Sequence, residues 1–357
     1  MSAAKPPIVV GPEIIRARLA AQLLTGEPAG SVEYAAGRIL AVQAQDPRGA
    51  RLAVRARTSG LTVADVDRAF SVDRSVVITW LNRGTLHLVR SEDYFWLLGL
   101  LGPRHLAWTA RRLNELHVSP EQAERAVDCI VRSIEREGPL TRAQVAQRLK
   151  DAGLPAEGQQ VPHQVALASF RGLIVRGPMR GREQCYVLTR EWLGEVPPFD
   201  RDRAIAELAR RYLAGHAPAS VDDLAYWTGL PGTDAKAAFR SIGSDLVERP
   251  DGLLELARPA GAPERDLPPL PAGRLLGPFD PILHGWRSRA AILGPHQSLV
   301  TMNGIFKPTL LVAGRAVGTW TMPKGRVLLD PFEDLSPEAL AAFEAETRDV
   351  ERFMTRA

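Results

Sequence analysis

Apolar positions change their period several times along the chain, and each change marks an element. Residues 13–24 and 32–43 carry apolar side chains at helical spacing, the second run behind Ser31, which stands where a cap belongs. Shorter helical patterns follow at 50–57 and at 63–70, the latter behind Thr62. Across 76–89 the period falls to two. Val76, Ile78 and Trp80 alternate with Val77, Thr79 and Leu81; after Asn82-Arg83-Gly84, the residues Thr85, His87 and Val89 alternate with Leu86 and Leu88. That pattern predicts a β-hairpin with a polar tip.

The same order returns twice. Helical spacing covers 91–117, 121–136, 142–152 and 161–171, with Thr141 and Gln144 at capping-box spacing and Gly153 as a stop. Strand-like stretches at 173–175 and 185–188 then flank a turn at 177–182. Helices at 203–214, 221–228 behind Ser220, and 234–242 precede a hairpin at 246–256 that turns at Asp251-Gly252. Helices closed by a hairpin are the order of a winged helix. The predicted fold is therefore α+β, with three tandem winged helix-turn-helix modules at 1–117, 118–200 and 201–257. A linker rich in proline and glycine follows at 258–273, then a small antiparallel β-rich domain, sheet or barrel-like, at 274–357. Its strands are predicted at 276–283, 298–303, 309–312, 316–321 and 326–329, and a final helix at 337–353.

Composition narrows the class. With 45% hydrophobic and 24% charged residues, the 357-residue chain is that of a folded protein able to bury more than one core. Its formal charge of +4 is carried almost entirely by arginine, the lysines being Lys5, Lys150, Lys236, Lys307 and Lys324. The excess is local. Arg171, Arg176, Arg180, Arg182 and Arg190 face the single acid Glu183 within the second hairpin region, and residues 37–112 hold twelve arginines against six acids. Basic winged modules point to duplex DNA as the partner.

Cys129 and Cys185 lack metal-ligand spacing, no Walker loop or dinucleotide fingerprint occurs, and no Ser-His-Asp signature appears, so neither a cofactor nor a metal is expected. The longest apolar run, near 94–101, is too short to span a bilayer. A cytoplasmic protein with no membrane contact is expected. Asp280, His284, Arg287 and Arg289 read as a polar corner holding the last domain to the modules.

One stretch stands apart: Gln43-Ala44-Gln45-Asp46-Pro47. On a continuous helix, residues two apart point about 200° from each other, so the two amides converge only if the helix stops between them. Pro47 supplies a stop by disfavouring the helical region for Asp46. Gln43 is thus predicted on the last helical turn and Gln45 in the exit, both aimed at one spot. The alternative is a pair of ordinary surface amides.

This stretch, the hairpin Trp80-Leu81-Asn82-Arg83-Gly84-Thr85-Leu86-His87-Leu88-Val89, and the late segments Gly277-Pro278-Phe279-Asp280-Pro281 and Asn303-Gly304-Ile305-Phe306-Lys307-Pro308-Thr309 resemble, in order, the AlkZ-like winged-helix family of bacterial DNA glycosylases. The resemblance implies three winged helices around a concave face that holds DNA, which suits a monomer, and a C-terminal β-rich domain. It implies that Gln43 and Gln45 are catalytic, with Asp46 as a possible accessory, and that the first hairpin reaches the DNA through Arg83, Thr85 or His87. The glutamine-x-glutamine form resembles the branch that protects producers of DNA-alkylating natural products. The implied reaction is hydrolysis of the N-glycosidic bond of an N7-alkylated purine, a bulky guanine adduct or crosslink, acted on in an open cleft without flipping. A non-catalytic winged-helix DNA-binding protein, a regulator or a lesion- or drug-sequestering protein, is the alternative.

Overall fold

Polar caps set the helix starts that periodicity only brackets. Ser31 Oγ accepts from Tyr34 N at 3.0 Å ahead of the helix Val32–Ile39. Thr141 and Gln144 close a reciprocal capping box at the head of Arg142–Asp151, as do Ser119 and Gln122 for Pro120–Glu137 and Ser220 and Asp223 for Val221–Thr228. The structure, a computed structural model, describes residues 10–181, 183–258 and 266–355. Helix and sheet are mixed, in two units: Met1–Val63 with Ile205–Ala357, and Ala64–Ala204.

In the unit Ala64–Ala204, the hairpin Val76–Trp80 and Leu86–Arg90 pairs from Val76 with Arg90 to Trp80 with Leu86. The second hairpin, Ile174–Arg180 with Glu183–Leu188, joins it through Ile78 and Arg176. One antiparallel sheet results, in the order Leu86–Arg90, Val76–Trp80, Ile174–Arg180, Glu183–Leu188. The helices Pro120–Glu137, Arg142–Asp151 and Gln160–Phe170 bury Val127, Ile130, Leu149 and Val165 in one cluster with Ile174, Tyr186 and Leu188.

In the other unit, Pro12–Ala21, Val32–Ile39 and Pro47–Arg55 are joined by Arg201–His216, Val221–Thr228, Gly232–Ser241 and the small hairpin Leu246–Glu248 with Leu254–Leu256. The predicted turn at Asp251-Gly252 is present, with Gly252 at φ +78°. The last segment forms an open four-stranded sheet, not a barrel: Leu328–Pro331, Arg315–Thr321, Thr309–Val312 and Arg274–Leu276 in that order. The helix Pro337–Met354 buries Phe343 and Val350 against Leu275, Leu310 and Trp320, and Leu52 of the Pro47–Arg55 helix completes this cluster.

Two predicted strands are absent. In place of 276–283 the chain leaves the sheet after Leu276, and Asp280 caps the 3₁₀ turn Pro281–Leu283. Pro278 and Pro281 have no N–H to give a ladder. In place of 298–303 there is a 3₁₀ turn, Gln297–Leu299. Residues 259–265 of the predicted linker lie outside the described residues, but the remainder is anchored: Arg16 Nε donates to Pro268 O at 2.6 Å and Thr25 Oγ1 to Pro269 O at 2.6 Å. Among the described residues, no helix is long and apolar enough to cross a membrane, and no cluster of His, Cys, Asp and Glu could hold a metal ion.

Candidate active site

The two glutamines do not stand at a helix end. The helix expected to reach Gln43 stops at Ile39, where Leu40 takes φ +69°, and Val42–Gln43 is extended. The cause is a run without a solvent face: Leu40, Ala41, Val42 and Ala44 are all buried, which an exposed-sided helix cannot satisfy and an extended core segment can. The helix end is held from outside. Arg211 Nη2 donates to Gly37 O at 2.8 Å, Arg38 Nε donates to Ala21 O at 3.0 Å, and Gly215 packs so close to the Arg38 carbonyl that a Cβ there would collide with it.

Pro47 also acts opposite to expectation. It opens the helix Pro47–Arg55 at its first position, a role that suits its fixed φ and missing N–H. Asp46 is the N-cap, and its Oδ1 accepts from Gly49 N at 2.7 Å. Gln45 lies in the bend just before this cap and is exposed. Gln43 is the opposite: only 6% exposed, with a buried Oε1 that has no hydrogen-bond partner among the described residues. A desolvated amide oxygen with nothing to accept costs stability, of order 1–3 kcal/mol, and is satisfied by any donor brought to it. The structure therefore gives the two amides different surroundings: one is buried, the other exposed, on a single bend.

The bend is clamped by residues far downstream in the chain, Gly277 to Asp280. A Cβ on Gly49 would collide with the Pro278 carbonyl, and one on Gly277 would meet Leu52 Cβ at 2.7 Å, so the two segments touch through backbone. Two residues past the helix, Arg57 grips Asp280 with Nη1–Oδ2 at 2.9 Å and Nη2–Oδ1 at 2.8 Å, neither side chain being exposed. Gln22 Oε1 accepts from Arg57 Nη2 at 3.0 Å, and Ala53 O accepts from Nη1. Gln43 and Gln45 are the residues the sequence singles out, and Gly49, Arg57 and Asp280 hold the backbone around them. An aspartate between two prolines was the available signal, because a buried carboxylate demands a cation.

The predicted DNA contacts separate. Arg83, at φ +53°, forms the tip of the first hairpin, and Thr85 Oγ1 donates to Asn82 O at 3.0 Å beside it. His87 is packed, 1% exposed, with Nδ1 3.0 Å from Thr85 O. In the second hairpin, the local charge excess is mostly spent on neighbours. Arg171 makes a bidentate pair with Glu124, and Arg190 pairs with Glu135. Arg176 is stacked between Trp80 and Tyr186, its guanidinium carbon 5.4 and 4.3 Å from the ring centroids, and burial pulls its pKa below the ordinary arginine value. Arg180 is exposed, donates to the neutral Gln144 Oε1 at 3.0 Å, and makes no ion pair among the described residues. Arg182 lies outside the described residues. The Asp280–Arg289 corner is structural, as expected: Arg287 N donates to Asp223 Oδ1, and Arg289 Nη2 to Tyr226 Oη.

A family model described as DNA glycosylase AlkZ-like matches residues 36–353. An "Interstrand DNA cross-link repair glycosylase" of Streptomyces sahachiroi is 28% identical over 372 aligned residues, which take in 94% of this chain and 94% of the relative. The solved Streptomyces sahachiroi DNA glycosylase AlkZ has the same fold, with a TM-score of 0.77 at 23% identity over 96% of each chain.

Proposed function

This chain belongs to the AlkZ-like DNA glycosylase family, and we propose that it is a monofunctional glycosylase that hydrolyses the N-glycosidic bond of N7-alkylated purines, bulky guanine adducts and interstrand crosslinks among them. The observation that carries this reading is the buried, unpartnered Oε1 of Gln43, two residues from the exposed Gln45.

An N7-alkylguanine is cationic, so its base departs without a proton from the enzyme. The C1′–N9 bond breaks, its electron pair neutralises the purinium ring, and the oxygen of a water bonds to C1′ while a proton passes to solvent. What the protein must supply is a placed water and a tolerant field for the positive, oxocarbenium-like sugar. Gln43 Oε1 offers both, accepting from the water and presenting the negative end of its dipole. Gln45 acts as the second amide from the solvent side. A glutamine is a poor base, so positioning does the work, and well-placed reactants can remove several kcal/mol from a barrier. Asp46 has one oxygen committed to Gly49 N and is assigned the cap rather than a share in the chemistry.

The three-module winged-helix reading accompanies this function. Arg83 and Thr85 at the tip of the first hairpin and the exposed Arg180 of the second are the proposed DNA contacts, while His87 and Arg176 are packed and Arg171 is engaged by Glu124. An open site that leaves the nucleotide stacked suits adducts too large for a base pocket. Resistance to a DNA-alkylating natural product is the proposed setting. The test is a duplex with one N7-alkylguanine, incubated with the protein and then treated with mild alkali. Strand scission at the lesion supports the glycosylase, and tight binding without scission identifies a sequestering protein instead.

A further inference from the structure

The Pro47–Arg55 helix carries a cation at the end where its dipole disfavours one. Its first turn has no acidic residue, and Arg48 occupies the second position, beside N–H groups that already confer partial positive charge. Arg48 Nε and Nη2 are buried, and neither has a hydrogen-bond partner among the described residues. The neighbouring arginines differ. Arg55 sends Nη1 to Asp349 and Nη2 to Glu346, and Arg57 sends both terminal nitrogens to Asp280, whereas Arg48 pairs with no acid among the described residues. Its guanidinium carbon stands 6.0 Å from the ring centroid of Trp320, whose Nε1 donates to Leu276 O at 2.8 Å. The indole is fixed, so the cation resting on it keeps a defined place.

A guanidinium at a positive helix end, with two of its three nitrogens buried and unpartnered among the described residues, is costly in the free protein unless an anion completes it. We propose that Arg48 binds a backbone phosphate of the lesion-bearing strand and so sets which nucleotide lies against Gln43 and Gln45. This inference rests on the reading of those two glutamines as the site of base release. Three Cα–Cα steps lead from Gln45 to Arg48, a span of at most about 11 Å. Along one strand that is roughly three nucleotide steps. The bound phosphate is therefore one flanking the lesion. Pairing with it also neutralises Arg48, which would otherwise oppose a cationic transition state. Arg48 is a DNA-contacting, positioning residue that acts on binding and register rather than on bond breaking.

The experiment uses the full chain and a duplex with a single N7-alkylguanine, together with a set in which each phosphate within three steps of the lesion is replaced in turn by a neutral methylphosphonate. Arg48→Ala is expected to weaken binding about tenfold and to lower the slope of log K against log salt by about one. Arg48→Lys should restore the slope. One methylphosphonate should weaken the wild type yet leave Arg48→Ala unaffected, which identifies the phosphate. The thermal midpoint of Arg48→Ala should not fall, since its helix loses an unfavourable charge; a merely structural arginine would lower it. Wild-type affinity and slope in Arg48→Ala, or equal methylphosphonate effects in both proteins, overturn the proposal. Binding is read without turnover, so a wild type that releases no base defeats the glycosylase reading and leaves this test standing.

Discussion

Arg57 and Asp280, 223 positions apart in sequence, form a bidentate ion pair at 2.8 and 2.9 Å with neither side chain exposed. The pair ties the segment that bears the glutamines to the turn that leaves the C-terminal sheet. Removing one member leaves the other charge buried and alone, so Asp280→Ala or Arg57→Met should cost about 3–5 kcal/mol. Replacing both, Arg57→Met with Asp280→Leu, should recover much of that loss. Urea unfolding of the three variants checks it, and additive losses in the double variant would contradict it.

Gly49 makes a second, purely steric tie. Gly49→Ala forces a methyl group against the Pro278 carbonyl, a backbone atom that cannot rotate away. A loss of about 1–3 kcal/mol is expected from overpacking. Because Gly49 N also receives the Asp46 cap, base release at a temperature where the variant is fully folded should fall as well. Asp46→Asn, which keeps a capping oxygen, should retain most activity if Asp46 is only a cap; a loss comparable to that of a glutamine variant would give Asp46 a part in the chemistry.

Much of the fold was legible in the sequence wherever a local signal was enough. The Thr141/Gln144 box, the Ser220 cap and the turns of the first and third hairpins follow from a few adjacent residues, whereas the second, expected to turn over 177–182, stays strand as far as Arg180. What was not legible depends on distant chain. Leu40 turns because the residues after it are buried on every side, and Pro47 starts a helix because Asp46 is there to cap it; read alone, the same proline looked like a stop. Charge was the other blind spot. Counting arginines between 171 and 190 located a basic patch, but Glu124 and Glu135 come from a helix earlier in the chain and neutralise two of them, while Trp80 and Tyr186 enclose a third.

That pairing makes a prediction for DNA binding. Arg171→Ala should change affinity for duplex DNA by less than about twofold, since the guanidinium is already engaged by Glu124. Arg180→Ala should weaken binding and lower the salt slope by about one. Fluorescence titrations across a salt series measure both, and equal effects would show that the pair with Glu124 opens on DNA.

Acid should destabilise the fold earlier than its carboxylates alone imply. Burial is the main cause that pushes His216 down to about 3, and burial likewise lowers His105 and His163. The unfolded chain binds a proton at His216 from about pH 6.5 downward while the native protein does not, so this group removes about 1.4 kcal/mol per pH unit below that point, and the partly exposed His105 and His163 act in the same direction. For His216 the loss runs on to about pH 3. Glu346 is also lowered, by Arg55 and Arg274 against the opposing effect of its own burial, and its contribution is lost only below the ordinary glutamate range. The fall between pH 6.5 and 4.5 thus belongs to the histidines. Urea midpoints at pH 7, 6 and 5 should decline steadily, and a flat profile over that span would contradict the buried, neutral state of His216.

The central claim is that Gln43 supplies the acceptor that places the water. Single-turnover release of an N7-alkylguanine from a duplex, with affinity measured in parallel, tests it most directly. Gln43→Ala should slow release by at least about 100-fold, the scale on which one preorganised hydrogen-bonding group acts on a transition state, while Kd stays within about threefold. A Gln43→Ala protein that binds normally and releases base at the wild-type rate would contradict the account.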